Sequence, residues 1–288
     1  MRCELCPRRC RVDRSRAVGF CGAGERLKVA RAAPHHWEEP CISGTAGSGT
    51  VFFSGCTLGC CFCQNRAISA GGFGREISTQ RLKEIFQELI AAGVHNLNLV
   101  SPTQYTPWIL EALQERPAVP VVWNTGGYER VETLRLLEGA VQIYLPDLKY
   151  VSPERSRRYS GAADYFAYAS QAVLEMYRQT GPYEIGADGV LRRGVVVRHL
   201  MLPGGLEDTK RVLDWLAEQF RPGQILVSLM SQYTPTDGVP PEIGRRVTRA
   251  EYRAASAYMK DCGICEGFLQ ERCAAREEYT PPFDLTGV

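Results

Sequence analysis

The stretch SGTVFFSGCTLGCCFCQN, residues 48–65, runs an apolar segment straight into a loop with cysteines at 56, 60, 61 and 63. TVFF shows no polar alternation, so it reads as a strand buried on both faces. The loop then sets Cys56, Cys60 and Cys63 at CxxxCxxC spacing. A closed zinc site calls for a fourth protein ligand, whereas three thiolates on a four-iron cubane leave one iron open to a small molecule. Phe62, just before the last of the three, is placed to pack on an adenine. Cys61 is the immediate neighbour of Cys60, so it points elsewhere and reads as a spare thiol.

Working outward, five more runs read as strands: NLNLVS (96–101), PVVWNT (120–125), VQIYLPDL (141–148), GVVVRHLML (194–202) and QILVSLMS (224–231). Amphipathic segments separate them. TQRLKEIFQELIAAG (79–93) places Leu82, Ile85, Leu89 and Ile90 on one helical face, and DTKRVLDWLAEQF (208–220) does the same job later, with Thr79 and Asp208 as expected caps. Six strands alternating with helices predict an α/β fold, a partial (β/α)6 TIM-like barrel. Residues 1–45 are expected as a cysteine-rich N-terminal arm, and residues 46–288 as the barrel with a C-terminal extension. In such folds function gathers at the carboxyl ends of the strands, where the cysteine loop, SPTQY, NTGGY, PDLK and SQYTP all fall.

Composition bounds the partners. At 288 residues and 44% hydrophobic content the chain can bury one large core. A net charge of +2 argues against nucleic acid or an anionic membrane as the main partner. No run approaches the roughly 18 apolar residues of a membrane span, and MRCELCPRRC lacks a signal-peptide core, so a cytoplasmic location is expected. Twelve cysteines in a reducing compartment point to metal ligation rather than disulfides.

The cysteine triplet with its aromatic resembles the radical S-adenosylmethionine (SAM) superfamily. That resemblance implies a [4Fe-4S] cluster on Cys56, Cys60 and Cys63, with SAM chelated at the open iron. It narrows further through HHWEEPCISGTAGSGTVFFSGCTLGCCFCQNRAIS, NLNLVSPTQYTP, PVVWNTGGY, YLPDLKY, VVVRHLMLPGG and PPFDLTGV, which are similar to homologues of pyruvate formate-lyase activating enzyme over nearly the whole chain. The segment binding the methionine amino group in that group corresponds to Ser101, Pro102, Thr103 and Gln104, which lack its acid. Its Asp-Thr-Asn-Gly segment corresponds to Asn124, Thr125, Gly126 and Gly127, so an aspartate becomes Asn124. Asp147, Leu148 and Lys149 match intact, and Lys149 is the expected partner of the SAM carboxylate. The resemblance implies an electron donor such as flavodoxin or ferredoxin. It also implies reductive SAM cleavage to a 5′-deoxyadenosyl radical that abstracts hydrogen from substrate.

Arg198 is the one arginine in the predicted strands and is expected inside the barrel, holding a carboxylate or phosphate of the substrate as the catalytic clamp. Its neighbour His199 reads as a satisfied core histidine. Tyr105 and Tyr233 are read as aromatic packing or substrate contacts, and HHWEEP as solvated loop or lid. Cys3, Cys6, Cys10 and Cys21 suffice for a second metal centre, zinc or iron–sulfur, which their spacing does not separate. Cys262, Cys265 and Cys273, with Cys41, read as scattered reduced thiols. Three functions stay open: a radical enzyme acting on a small molecule or peptide, an activase that installs a glycyl radical on a protein partner, and a non-catalytic iron–sulfur protein.

Overall fold

The computed structural model describes residues 2–269 and 280–288. Among the described residues the strands are β1 (Leu27–His35), β2 (Ser48–Phe53), β3 (Arg75–Ile77), β4 (Leu97–Val100), β5 (Val121–Thr125), β6 (Ile143–Pro146), β7 (Glu184–Ile185), β8 (Leu191–Leu200), β9 (Leu226–Met230) and β10 (Gly267–Leu269). Their order across the sheet is β10-β9-β8-β6-β5-β4-β2-β1-β3, with β7 paired to β8. Strands β2, β4, β5, β6, β8 and β9, the six legible in sequence, are consecutive and parallel. β10 extends this parallel set, whereas β1 pairs antiparallel with both β2 and β3. The α/β partial-barrel expectation therefore holds.

Burial on both faces explains the continuous apolar strands: every residue of β2, β4, β5, β6 and β9 is buried. Helices Thr79–Ala91, Tyr165–Thr180 and Leu206–Gln219 cover the outside with Leu82, Ile85, Leu89, Val173, Met176, Val212 and Leu216 turned inward. Two caps differ from expectation. Ser78, not Thr79, caps the first helix by accepting from Arg81 N–H. Asp208 lies inside the first turn of its helix and accepts instead from the Ser152 N–H at 2.8 Å. Within residues 1–45, β1 is part of the sheet, so the cysteine-rich arm proper ends near residue 26. Residues 284–286 run beside β1, with Leu285 N–H on Ala30 O at 3.0 Å and Ala32 N–H on Thr286 O at 2.8 Å. Among the described residues, no helix is long and apolar enough to cross a membrane.

Candidate active site

The carboxyl ends of the parallel strands surround a cavity of about 220 Å³. Cys56, Cys60 and Cys63 line it together with Phe62, Ser101, Asn124, Asp147, Lys149 and Arg198. Cys61 is outside this lining; its N–H is tied to Tyr159 O at 2.8 Å. Each of the three facing thiols accepts one hydrogen bond: Cys56 from Leu58 N–H at 3.4 Å, Cys60 from the Ser160 hydroxyl at 3.1 Å and Cys63 from the Ser69 hydroxyl at 3.4 Å. Such donors favour sulfur in its charged, ligating form. Burial works the other way, pushing Cys60 up to about 12 and Cys63 upward as well.

The loop is held by close backbone approaches. A Cβ on Gly55, at φ +86°, would sit 2.2 Å from Cys21 O, so the turn before Cys56 needs glycine. Gly127, at φ +80°, meets Asp147 O in the same way, bringing the ends of β5 and β6 together. Tyr165 Oη lies between Gly126 O at 2.9 Å, Asp147 O at 2.8 Å and the Lys149 N–H at 3.0 Å, pinning both strand ends. Ser101, at the end of β4, takes a positive φ of 55°, a conformation costly for a non-glycine residue and found mostly at functional sites.

Charge inside the barrel is paired. Lys149 Nζ donates to Asp147 Oδ2 at 2.6 Å, and Arg198 Nε donates to Asp147 Oδ1 at 3.0 Å. Arg198 also donates to Glu38 Oε2 at 3.1 Å and to Asn124 Oδ1 at 2.6 Å. Burial pushes Asp147 up, but Lys149 and Arg198 outweigh it and hold its carboxyl below the usual range. Burial likewise opposes the charge on Lys149, and Asp147 more than restores it. Glu39, buried beside them, is pushed upward by desolvation toward its neutral acid.

These contacts correct the picture of Arg198 as an uncommitted anion clamp. It does face the cavity, but it is already paired with Glu38 and with Asp147, which it shares with Lys149. Thr103 and Gln104, expected against SAM, do not line the cavity. Thr103 donates to Glu129 at 2.5 Å, and Gln104 Nε2 binds Ser101 O at 2.8 Å while bracing Ser54 O and Gly55 O at 3.2 Å. They shape the loop from behind. His199 is a satisfied core residue, between Leu148 O at 2.7 Å and Thr209 Oγ1 at 2.9 Å. Tyr105 and Tyr233 are both buried in packing, Tyr233 edge-on to Phe62. Cys41 is buried among Ile42, Val122 and Ile143, and Cys273 lies outside the described residues.

Sequence reasoning missed several lining groups. A second cavity of about 130 Å³ shares Gln64, Asn65, Asn124, Arg198 and Gln232 with the first, and adds His35, Trp37, Glu38, Thr280 and Pro281. Gln64 and Asn65 follow directly on Cys63, and Gln232 opens the loop after β9, so their signal was position at the functional edge. The HHWEEP segment thus lines the mouth, through His35, Trp37 and Glu38.

Among the described residues, no three His, Cys, Asp or Glu side chains are gathered as ligands of a single metal ion. Cys56, Cys60 and Cys63 nonetheless open on one cavity at CxxxCxxC spacing, each with a hydrogen-bond donor on its sulfur, which is the donor set of a cubane with one open iron. The residues present therefore fit a [4Fe-4S] cluster on Cys56, Cys60 and Cys63.

The sequence profile of the radical SAM superfamily matches residues 50–234. An uncharacterized protein of Methanocaldococcus jannaschii is 30% identical over 265 residues, covering 88% of this chain and 72% of that one. Among solved structures, Streptococcus suis SuiB bound to precursor peptide SuiA superimposes with a TM-score of 0.53 at 13% identity, over 75% of this chain and 46% of SuiB. The free SuiB structure gives 0.50 at 14% identity, over 75% and 47%. This chain spans about half the length of those structures, and at such identity the likeness is one of fold.

Proposed function

The chain belongs to the radical SAM superfamily, and on that premise we propose that it cleaves SAM reductively and abstracts hydrogen from a small-molecule or peptide substrate. The observation that carries this reading is a shared lining. Cys56, Cys60 and Cys63 open onto the same cavity as the Asp147–Lys149 pair, and Arg198, Asn124 and Gln232 line both that cavity and the second one beside it. Cys56, Cys60 and Cys63 would hold a [4Fe-4S] cluster, which would supply the single-electron chemistry of reductive SAM cleavage.

The rest is work for this chain's own residues. Ser160, Ser69 and Leu58 steady the three sulfurs through their hydrogen bonds. Lys149 offers its ammonium to the carboxylate of SAM, and the Ser101 hydroxyl and Asn124 amide offer polar contacts on the same side. Phe62 walls the adenine. Arg198 is fixed by Asp147, Glu38 and Asn124, which leaves part of its guanidinium fork to orient an anionic group of the substrate rather than to neutralise it. A flavodoxin or ferredoxin in the cytoplasm is the proposed reductant.

The mouth favours a compact substrate over a glycine within a large protein partner. Thr280 and Pro281 line the second cavity, and the segment that follows is tied to β1 by Arg31 on Asp284 at 2.8 Å. An activase needs that side open. The test is anaerobic incubation of the reconstituted chain with reductant, SAM and deuterated candidate metabolites or peptides, following deuterium into 5′-deoxyadenosine. Deuterium transfer from one of them supports the reading; transfer only from a glycine of an intact protein partner replaces it with the activase.

A further inference from the structure

We propose that Cys3, Cys6, Cys10 and Cys21 hold a second iron–sulfur cluster, packed directly behind the loop of the first. This inference stands apart from the proposed reaction. The first 26 residues form a small arm whose backbone is a pair of tight turns: Cys3 N–H on Val12 O and Arg11 N–H on Cys3 O, both at 3.0 Å, and Arg9 N–H on Cys6 O at 3.0 Å. Arg9 and Arg11 take positive φ to make them. Cys21, distant in sequence, comes back beside Cys10. A Cβ on Gly19 would lie 3.0 Å from Cys10 Sγ and 3.7 Å from Cys21 Sγ, so glycine there leaves the space between the two sulfurs open.

The arm has little else to hold it together. Cys6 and Cys21 are among its most buried side chains, while its larger apolar residues Val18 and Phe20 are more than half exposed. A segment with so little core needs a covalent or metal staple, and all of its cysteines are unpaired. A second observation points to an anion. Arg14 is anchored by Nε on Gly24 O at 2.8 Å and by Nη1 on Gln104 O, yet its Nη2 is buried with no hydrogen-bond acceptor. Its guanidinium lies over the Trp108 ring at 4.8 Å, which leaves that nitrogen without an acceptor, and thiolates on a cluster in this arm would supply the negative charge it lacks.

Four thiolates suit zinc or iron–sulfur, and the place of the arm favours iron–sulfur: it packs against the loop of a redox cluster, where a second cluster can pass electrons and zinc cannot. In a cubane each thiolate takes its own iron. The two sites are also stitched together. Arg8 reaches from between Cys6 and Cys10 to Thr57 O at 3.1 Å and Leu58 O at 2.9 Å, inside the catalytic loop, and Cys21 O lies against Gly55.

The test separates the two sites by removing one at a time. A Cys56→Ala/Cys60→Ala/Cys63→Ala chain, reconstituted anaerobically with ferrous iron and sulfide, should keep about four irons with matching sulfide and a charge-transfer absorption. Adding Cys10→Ala and Cys21→Ala should remove them. In the converse variant, Cys10→Ala/Cys21→Ala alone, iron should fall from about eight to about four per chain. Should that variant misfold, the triple variant still carries the test. A triple variant that retains no iron, or that holds one zinc and no sulfide, overturns the proposal.

Discussion

Arg198 Nη1 donates to Glu38 Oε2 at 3.1 Å, joining residues 160 positions apart in the chain. The other oxygen of Glu38 accepts from Asn98 at 3.0 Å and from Asn124 at 3.1 Å. One carboxylate therefore ties the HHWEEP segment to β4, β5 and β8 at once. Glu38→Ala strips a mostly buried guanidinium of one counter-charge and two amides of their acceptor. The expected cost is roughly 2–4 kcal/mol, with Glu38→Gln recovering part of it because the amide acceptor returns. Chemical denaturation of the two variants checks the order; equal stability of Glu38→Ala and the parent chain rejects it.

Lys149 is expected to bind SAM rather than build the cluster site. Lys149→Ala should weaken SAM about tenfold, the equivalent of ~1.4 kcal/mol, while iron content stays unchanged. Calorimetric titration of SAM into the reconstituted variant measures this, and unchanged affinity moves the carboxylate contact elsewhere.

Glu129 gives the fold a pH dependence of known sign. It is buried, bonded to Thr103 and Thr125, and desolvation pushes its carboxyl up to about 7, against those hydrogen bonds and the nearby Trp123 indole. Its folded pKa lies above the unfolded value, so its contribution is full below about pH 4.5 and is lost as pH rises through about 7. Glu129→Gln keeps the neutral shape and removes the titration. Between about pH 5 and pH 8 the parent chain should lose roughly 2–3 kcal/mol relative to that variant. A constant difference across the range contradicts the assignment.

Neighbouring thiols should separate cleanly. Cys60 faces the cavity and takes a hydrogen bond from Ser160, whereas Cys61 lies outside the cavity lining. Cys61→Ala is expected to keep the full iron complement after reconstitution, and Cys60→Ala to lose most of the cluster bound at the barrel. Iron and sulfide assays decide it.

The six parallel strands were legible because burial on both faces leaves continuous apolar runs, and each observed strand falls within its expected span except β8, which begins three residues before it. β1 was not. LKVARAAPH alternates charge with apolar residues and carries proline and histidine, the pattern of an antiparallel strand nearer the sheet edge, so it was absorbed into the arm. At the site, the cysteines, Phe62, Asp147 and Lys149 could be placed from local order along one strand end. Thr103 and Gln104 could not, because the 3-10 turn Thr103–Tyr105 carries both side chains behind the loop. The partners of Arg198 were also hidden, since Glu38 meets it only through the fold.

Reductive cleavage of SAM tests the central claim most directly. The anaerobically reconstituted chain, given reductant and SAM, is predicted to release 5′-deoxyadenosine, to do so with Cys61→Ala, and to release none with Cys60→Ala. An intact cluster that yields no 5′-deoxyadenosine, or equal yield from the Cys60→Ala chain, would contradict the account.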